Sequence, residues 1–254
     1  MRIAVAQVRG QMDDPPANAS KAKMLLNNTD VDLLVFPELF ATGYDKECGR
    51  FADNMDALFM NKVVRNMNGR SVLFGCPVRD NGKLYDCAVL SDGQNEQIYR
   101  KIHLDVNERF DEKDVFAAGG EPKIFDFKGL RIGMAIGNDV MFGELFRWYA
   151  SKDADMVICI SAVPRTVLER YEKVLPARCV ENSIEMIYVN MVGPDPGLTM
   201  AGGSKYISSD GTVLEDFTDS SDVRIIKLND DRIKGSKERR GLLKEIRKDI
   251  DWTV

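Results

Sequence analysis

The 254-residue sequence has few of the groups on which many hydrolases and metalloproteins depend. Its single histidine, His103, argues against a Ser-His triad or a histidine-rich zinc site. Its five cysteines form no CxxC pair and leave one without a mate. This usage favours reduced thiols in a cytoplasmic protein over a disulfide framework. We therefore expect neither a metal nor a cofactor.

Two further absences concern partners. No stretch approaches the roughly 18 consecutive apolar residues of a membrane span, and the start MRIAVAQVRG is too polar for the apolar region of a signal peptide. The formal net charge of −5 disfavours a general nucleic-acid binder, which usually carries a basic face. The sequence thus predicts no membrane partner and no nucleic-acid partner.

What the sequence does contain is enough apolar material for a large core, with a hydrophobic fraction of 44%. Strand patterns alternate with helical patterns towards both ends, while Asn81-Gly82 and Asp92-Gly93 mark tight hairpins in the middle. No Pro/Gly/Ser-rich linker divides the chain. These patterns predict one α/β domain over residues 1–254, with helices outside a mixed sheet and a charged tail from about residue 230.

The stretch LRIGMAIGNDVMFGELFR, residues 130–147, combines a strand, a tight turn and a helix. Many α/β enzymes present a nucleophile at such a turn, where backbone N–H groups can bind an anion. Here the residue at the apex is Gly137, which has no nucleophilic atom. A structural explanation is also open, because glycine adopts a strained turn at little cost.

Charged residues stand near the ends of other predicted strands. Glu38 follows VDLLVFP, Lys101 follows a strand ending in YR, and Glu108 lies seven residues later. Taken singly, each has an ordinary explanation: a carboxylate facing a helix dipole, a solvated lysine and a surface loop charge. Asp139 and Glu144 could likewise be a helix cap and a first-turn acid.

Taken together, these segments resemble the nitrilase superfamily of carbon–nitrogen hydrolases. The similarity extends over essentially the whole chain in the family's order. The matching blocks are FPEL (36–39), YRKIHL (99–104), IGMAIGNDVMFGELFR (132–147), PARCVENS (176–183), VNMVG (189–193) and GGSKYISSDGTVL (202–214). The resemblance implies a four-layer α-β-β-α sandwich. It also implies a homodimer or a higher homo-oligomer, with the helices after Asn138 and from Thr166 and the C-terminal tail as the dimer surfaces.

The resemblance also implies roles for individual residues. Glu38 matches the general base, Lys101 the cation that stabilises the oxyanion, and Glu108 the second carboxylate, which positions Lys101 and the substrate amide. The main-chain N–H of Asn138 would be a second oxyanion donor, while His103 would be structural. Such a cluster suits a thiol that needs a base and an oxyanion that needs fixed donors.

By the same resemblance, Glu38, Lys101 and Glu108 should converge beside Gly137. The substrate pocket would be lined by Tyr44, Glu144, Ser161 and Ala162.

The sequence departs from the family at the nucleophile. The family has ICYD or a close variant where this chain has IGND, so Gly137 occupies the place of the cysteine. In a serine protease, loss of the nucleophile lowers turnover on the order of a million-fold. We expect Cys159 and Cys179 to pack in the core rather than replace the missing thiol. Neighbouring positions also differ, with Asn138, Met141 and Gly143 where an aromatic residue, arginine and proline are usual.

Two classes of function follow. The first is a family member with little or no hydrolase activity that binds a small amide, a carboxylate or a partner protein. The second is an active amidase- or nitrilase-type hydrolase of small amides, or an inactive variant of one. A purely structural protein is less favoured, because an unused buried Glu-Lys-Glu cluster would cost stability.

Overall fold

Fourteen strands and five α-helices make up the described part of the chain. The computed structural model describes residues 1–64, 67, 69–106, 110–195, 197–238, 240, 243, 245–247 and 249 (of Val64 and Asp195, the backbone alone). The strands are β1 (Arg2–Gln7), β2 (Leu33–Val35), β3 (Ser71–Asp80), β4 (Lys83–Ser91), β5 (Glu96–Arg100), β6 (Ile124–Phe127), β7 (Leu130–Ile136), β8 (Met156–Ser161), β9 (Glu185–Asn190), β10 (Val192–Asp195), β11 (Leu198–Ala201), β12 (Lys205–Ile207), β13 (Val213–Asp216) and β14 (Asp222–Lys227). The α-helices are α1 (Pro15–Asn28), α2 (Asn61–Val64), α3 (Gly143–Ser151), α4 (Leu168–Asn182) and α5 (Asp230–Glu238).

Twelve of these strands form two six-stranded sheets of similar design. The strand order is β14-β1-β2-β3-β4-β5 in the first sheet and β13-β12-β9-β8-β7-β6 in the second. Three central strands are parallel in each, β1-β2-β3 and β7-β8-β9, and the outer pairings are antiparallel. Parallel strands are covered on both faces, which explains runs of apolar residues such as MVICIS in β8.

The apolar side chains divide into layers that follow this architecture. One cluster lies between the sheets and takes residues from both, such as Val5 of β1 and Ile158 of β8. A second cluster covers the outer face of the first sheet with α1 and the segment from Met55 to Met67. A third packs α3 and α4 on the outer face of the second sheet. The predicted four-layer α-β-β-α sandwich is confirmed.

The spacing of Met55, Leu58, Phe59 and Val63 predicts a helix from Phe51 to Met67, and the structure differs from this prediction. In place of a continuous helix from Phe51 to Met67, the chain forms a 3₁₀ segment Lys46–Asn54, a π-helical turn Asp56–Met60 and the short helix α2. The helical path begins earlier because the Asp45 side chain accepts a hydrogen bond from the N–H of Glu47.

No helix in the described ranges has the length and apolar character needed to cross a bilayer.

Candidate active site

Glu38 is placed by a close contact between the loop after β2 and strand β3. The N–H of Gly75 donates to the carbonyl of Pro37 at 3.1 Å. A Cβ at Gly75 would lie 2.2 Å from the backbone nitrogen of Leu39, so only glycine fits this approach. Glu38 is 2% exposed, and its Oε2 accepts a hydrogen bond from the N–H of Ala162 at 2.7 Å. The carboxylate is thereby held from two sides at the carboxyl ends of β2 and β8.

Lys101 follows β5 and lies in the same buried region. Its Nζ donates to Glu38 Oε1 at 2.6 Å and to Glu112 Oε1 at 2.7 Å. Burial opposes the positive charge of Lys101, but the attraction of Glu112, Glu38 and Asp86 outweighs it and raises the pKa of Lys101 well above its usual value. The lysine is therefore a fixed cation throughout the neutral range.

The second carboxylate beside Lys101 is Glu112, which the sequence did not single out. Glu108, the residue predicted for this place, lies outside the described residues. Glu112 is fully buried in a short 3₁₀ turn, where Tyr44 Oη donates to Oε1 at 2.7 Å and the N–H of Asp105 donates to Oε2 at 2.8 Å. These contacts hold Glu112 beside Lys101, and the role predicted for Glu108 stays a prediction.

Asp86 of β4 is a third buried carboxyl group behind Lys101, also missed in the sequence. Its Oδ2 lies 3.8 Å from Lys101 Nζ, and neither of its oxygens accepts a hydrogen bond within the described ranges. Burial raises the pKa of Asp86 well above its usual value, and the charge of Glu38 adds to the effect. Burial also raises the pKa of Glu38. Burial therefore favours the protonated form in both neighbouring acids.

The oxygens of Glu38, Asp86 and Glu112 lie within 4.8 Å of one another, a spacing that a cation could use. The ammonium group of Lys101 already lies among them and balances their charge. This arrangement fits an internal ion cluster better than a metal centre.

Gly137 begins the turn between β7 and α3, a 3₁₀ segment Gly137–Met141, with φ of +46°. A Cβ at this position would lie 2.9 and 3.1 Å from the two carboxylate oxygens of Glu38 and 3.1 Å from Lys101 Nζ. The carboxylate of Glu38 and the ammonium group of Lys101 therefore converge on a residue that has no side chain.

The turn is fixed from behind by Asp139, which is fully buried. Its carboxylate accepts hydrogen bonds from the N–H of Ile136 at 3.0 Å, the N–H of His103 at 2.8 Å and Tyr99 Oη at 2.7 Å. The ring of His103 lies 2.9 Å from Asp139 and stacks on Phe142, so this histidine supports the turn and is not among the residues that line the adjacent cavity.

A cavity of about 410 Å³ opens over Gly137. Among the predicted pocket residues, Tyr44 and Ala162 line it, as does Asn138. Glu144 and Ser161 do not: Glu144 is exposed on α3, and Ser161 is buried at the end of β8, 3.6 Å from the sulfur of Cys159. Polar side chains that the sequence did not single out, Asp105, Glu112, Thr166, Arg170 and Tyr171, complete much of the wall.

All five thiols are buried and unbridged. Burial raises the pKa of Cys159 and of Cys179, which disfavours the reactive thiolate at both positions. Neither cysteine lines the cavity. Both residues lie in the apolar cluster under α3 and α4, as their sequence positions suggested.

The carbon-nitrogen hydrolase family matches residues 2–237. The chain belongs to this family. A nitrilase of Pyrococcus abyssi (strain GE5 / Orsay) is 30% identical over 230 residues, which cover 84% of this chain and 84% of the relative. A CN-hydrolase superfamily protein of Xanthomonas campestris, with an arsenic adduct in its active site, has a TM-score of 0.86 at 25% identity and covers 100% of this chain and 98% of its own. A variant of an amidase from Nesterenkonia sp. AN1, with acrylamide added to the active-site cysteine, has a TM-score of 0.79 at 27% identity over 96% of this chain and 98% of that one.

Proposed function

We propose that this carbon-nitrogen hydrolase family member binds a small carboxamide in the cavity over Gly137 and hydrolyses it little or not at all. The observation that carries the proposal is the environment of Gly137. Glu38 and Lys101 lie about it at 2.9 to 3.1 Å from where a side chain would begin, yet the residue offers no nucleophile.

The binding half of the proposal rests on the donors and acceptors of the cavity floor. Lys101 Nζ has three protons and gives two of them to Glu38 and Glu112, so one is left for a carbonyl oxygen. The carboxylates retain lone pairs for the two N–H groups of a primary amide. A neutral carboxamide satisfies both kinds of group, whereas a carboxylate meets two like charges.

The second part of the proposal, that the protein hydrolyses amides little or not at all, rests on the absence of a nucleophilic thiol at position 137. Attack on an amide by this family's route requires a thiol that loses its proton to a base and forms a thioester. In this chain the residue beside Glu38 and Lys101, Gly137, has no side chain, and Cys159 and Cys179 are buried away from the cavity. An active hydrolase remains the second candidate because relatives of this chain are nitrilases and amidases.

The test is calorimetric titration with butanamide and with butanoate at neutral pH, with ammonia measured in the same samples. The proposal predicts saturable butanamide binding, weaker or no butanoate binding, and no ammonia above the protein-free blank. Ammonia release that is proportional to protein concentration would establish the second candidate instead.

Two variants test whether the measured heat of binding comes from a ligand in the cavity. Val167→Trp places a large side chain at the cavity wall, at a position that is 40% exposed, and should weaken butanamide binding at least tenfold. Val213→Trp, 42% exposed on β13 and not part of the cavity lining, should bind as the native protein does. Equal effects of the two substitutions would contradict binding at this site.

A further inference from the structure

Three carboxyl groups surround the ammonium group of Lys101, and they differ in the hydrogen bonds that they accept. Glu38 accepts one from Lys101 and one from the N–H of Ala162. Glu112 accepts one from Lys101 and one from each of two further groups. Asp86, which is fully buried, accepts none from the described residues. The donors around Lys101 therefore satisfy two carboxylates and leave the third without any.

Strand pairing turns the Asp86 side chain towards this cluster. The N–H of Lys101 donates to the carbonyl of Asp86 at 2.9 Å and continues the β4–β5 ladder, so the two residues lie opposite each other with their side chains on one face. Asp86 Oδ2 lies 3.8 Å from Lys101 Nζ, and its carboxyl group is within hydrogen-bonding reach of the Glu38 carboxyl group. Ionised carboxylates only accept hydrogen bonds, so these two groups bond to each other only when one of them carries a proton.

We propose that Asp86 and Glu38 hold one proton between them, and that this proton keeps a hydrogen-bond donor of Lys101 available to the ligand. With the proton present, Asp86 is satisfied by its bond to Glu38. When the pair loses the proton, which leaves through Glu38 to the cavity and solvent, Asp86 becomes a charged acceptor 3.8 Å from Lys101 Nζ. The third N–H of Lys101 then turns to Asp86 and no longer reaches the carbonyl oxygen of a carboxamide.

The inference rests on the proposed function, because it concerns the donor that binds the carboxamide carbonyl. It adds regulation of that site by pH and a positioning residue, Asp86. Burial raises the pKa of Asp86 and of Glu38, which agrees with a proton retained between them. An ionised Asp86 without a donor would be a costly buried charge, which also favours the shared proton.

The other titratable groups that face Asp86 do not change charge in the same way. Within the described ranges they are Lys101, Glu112 and the thiols of Cys48, Cys76 and Cys87. Burial raises the pKa of all three thiols, so they stay neutral near pH 7. The pKa of Lys101 is also raised, by the surrounding carboxylates, so its charge persists.

The direction of the pH effect follows from which form offers the donor. Affinity for a neutral carboxamide should be highest at low pH and fall as pH rises through the pKa of the pair. Because apparent affinity scales with the binding-competent fraction of the protein, one linked proton allows a loss of at most about tenfold per pH unit. Butanamide is a suitable probe because it has no group that titrates in this range.

Calorimetric titrations with butanamide from pH 6 to pH 9 test the inference. Native affinity should fall about threefold or more across this range. Asp86→Asn is neutral at every pH and donates to Glu38 through its amide, so its affinity should stay at the native value for pH 6. Asp126→Asn, at an exposed position of β6, is the matched control and should follow the native curve.

Two further measurements detect the proton itself. Titrations in buffers of different ionisation enthalpy count the protons that are bound together with the ligand. Above the pKa of the pair, native protein should take up close to one proton per butanamide, and Asp86→Asn should take up none. The infrared difference spectrum between native protein and Asp86→Asn at pH 6, without ligand, should show the carbonyl band of a protonated carboxyl group.

The outcomes separate this inference from the proposed function. If native affinity is constant from pH 6 to pH 9, the regulation is wrong while carboxamide binding stands, and this result does not depend on a variant. If Asp86→Asn keeps the native pH dependence, another group is responsible and the role of Asp86 is wrong. If butanamide binds to none of the proteins, the proposed function and the effect on the ligand are both wrong, and the infrared band alone decides whether the proton is shared.

Discussion

At the scale of single residues, the environment of Gly137 shows that restoring a nucleophile is not a simple addition. A cysteine Cβ would lie 2.9 Å from Glu38 Oε2, and the backbone has φ of +46°, so the carboxylate must withdraw by a few tenths of an ångström. We expect Gly137→Cys to fold with a loss of about 1–3 kcal/mol in unfolding free energy. Its thiol, next to Lys101, should be alkylated faster than the five buried native thiols.

Iodoacetamide labelling with peptide mapping, together with urea unfolding, measures both effects. Gly82→Cys is the matched control, because Gly82 also has positive φ but a Cβ there would meet no atom within 4 Å. The control should lose less stability and react at the rate of an ordinary surface thiol. A Gly137→Cys protein that is folded and reacts no faster than the buried cysteines would contradict the proposed surroundings of position 137.

Asp86 provides a test of the buried charge cluster through pH. Because its folded pKa is raised, the folded state holds a proton that the unfolded chain releases above about pH 4. Unfolding free energy should therefore fall as pH rises towards the folded pKa, by up to about 1.4 kcal/mol per pH unit. Asp86→Asn removes this pH dependence. The unfolding free energy of the variant, taken relative to that of the native protein, should therefore increase from pH 5 to pH 8.

Urea unfolding at several pH values measures the difference. The control is Asp126→Asn at an exposed position of β6, which should keep the native pH dependence. A constant offset between Asp86→Asn and the native protein across this range would mean that Asp86 is ionised in the folded state.

The carboxylates also show what sequence patterns could reveal. Glu38 and Lys101 were singled out because each stands near the end of a predicted strand, and their roles were assigned by the resemblance to the family. Glu112 follows Glu108 by four residues in the same charged stretch of sequence and was missed. The contacts that place it, with Tyr44 Oη and the N–H of Asp105, depend on three-dimensional structure that spacing does not contain. The aromatic residues Phe110 and Phe116 around Glu112 were the available signal that this part of the loop turns inward.

At the scale of elements, the turn Gly137–Met141 is held by the hydrogen bonds that the Asp139 carboxylate accepts. Asp139→Asn replaces one acceptor oxygen with a donor that faces N–H or O–H groups, and should cost about 1–3 kcal/mol in unfolding free energy. It should also weaken butanamide binding, because Gly137 and Asn138 form part of the cavity wall. Urea unfolding and calorimetry test this.

Tyr99→Phe is the milder comparison variant, because it removes only one hydrogen bond to the Asp139 carboxylate. It should lower the unfolding free energy by about 1 kcal/mol. If Asp139→Asn is no more costly than Tyr99→Phe, the carboxylate does not hold the turn in the way described.

Element types were easier to predict than element ends. Strands β2 and β7 were evident from the apolar runs in VDLLVF and LRIGMAI, and the hairpin between β3 and β4 from Asn81-Gly82. The path from Lys46 to Val64 was not, because its apolar residues fit a regular helix while a cap at Asp45 and local packing produce 3₁₀ and π-helical turns.

At the scale of the whole molecule, the two sheets bring residues from distant parts of the chain to one site. Residues from β2, β5, β8 and the turn after β7 meet at one end of the sandwich, so each polar group is fixed by a different strand. The homodimer stays a prediction. Light scattering coupled to gel filtration should give twice the mass of one chain, or a larger multiple for a higher homo-oligomer, and the mass of one chain would contradict the prediction.

The most direct test of the central claim is intact-mass spectrometry of the native protein after incubation with small amides, nitriles and N-carbamoyl compounds, with ammonia measured in parallel. A chain without a nucleophile at position 137 should keep its unmodified mass and release no ammonia above the blank. A covalent acyl adduct mapped to Cys159 or Cys179, or steady ammonia release, would contradict the account.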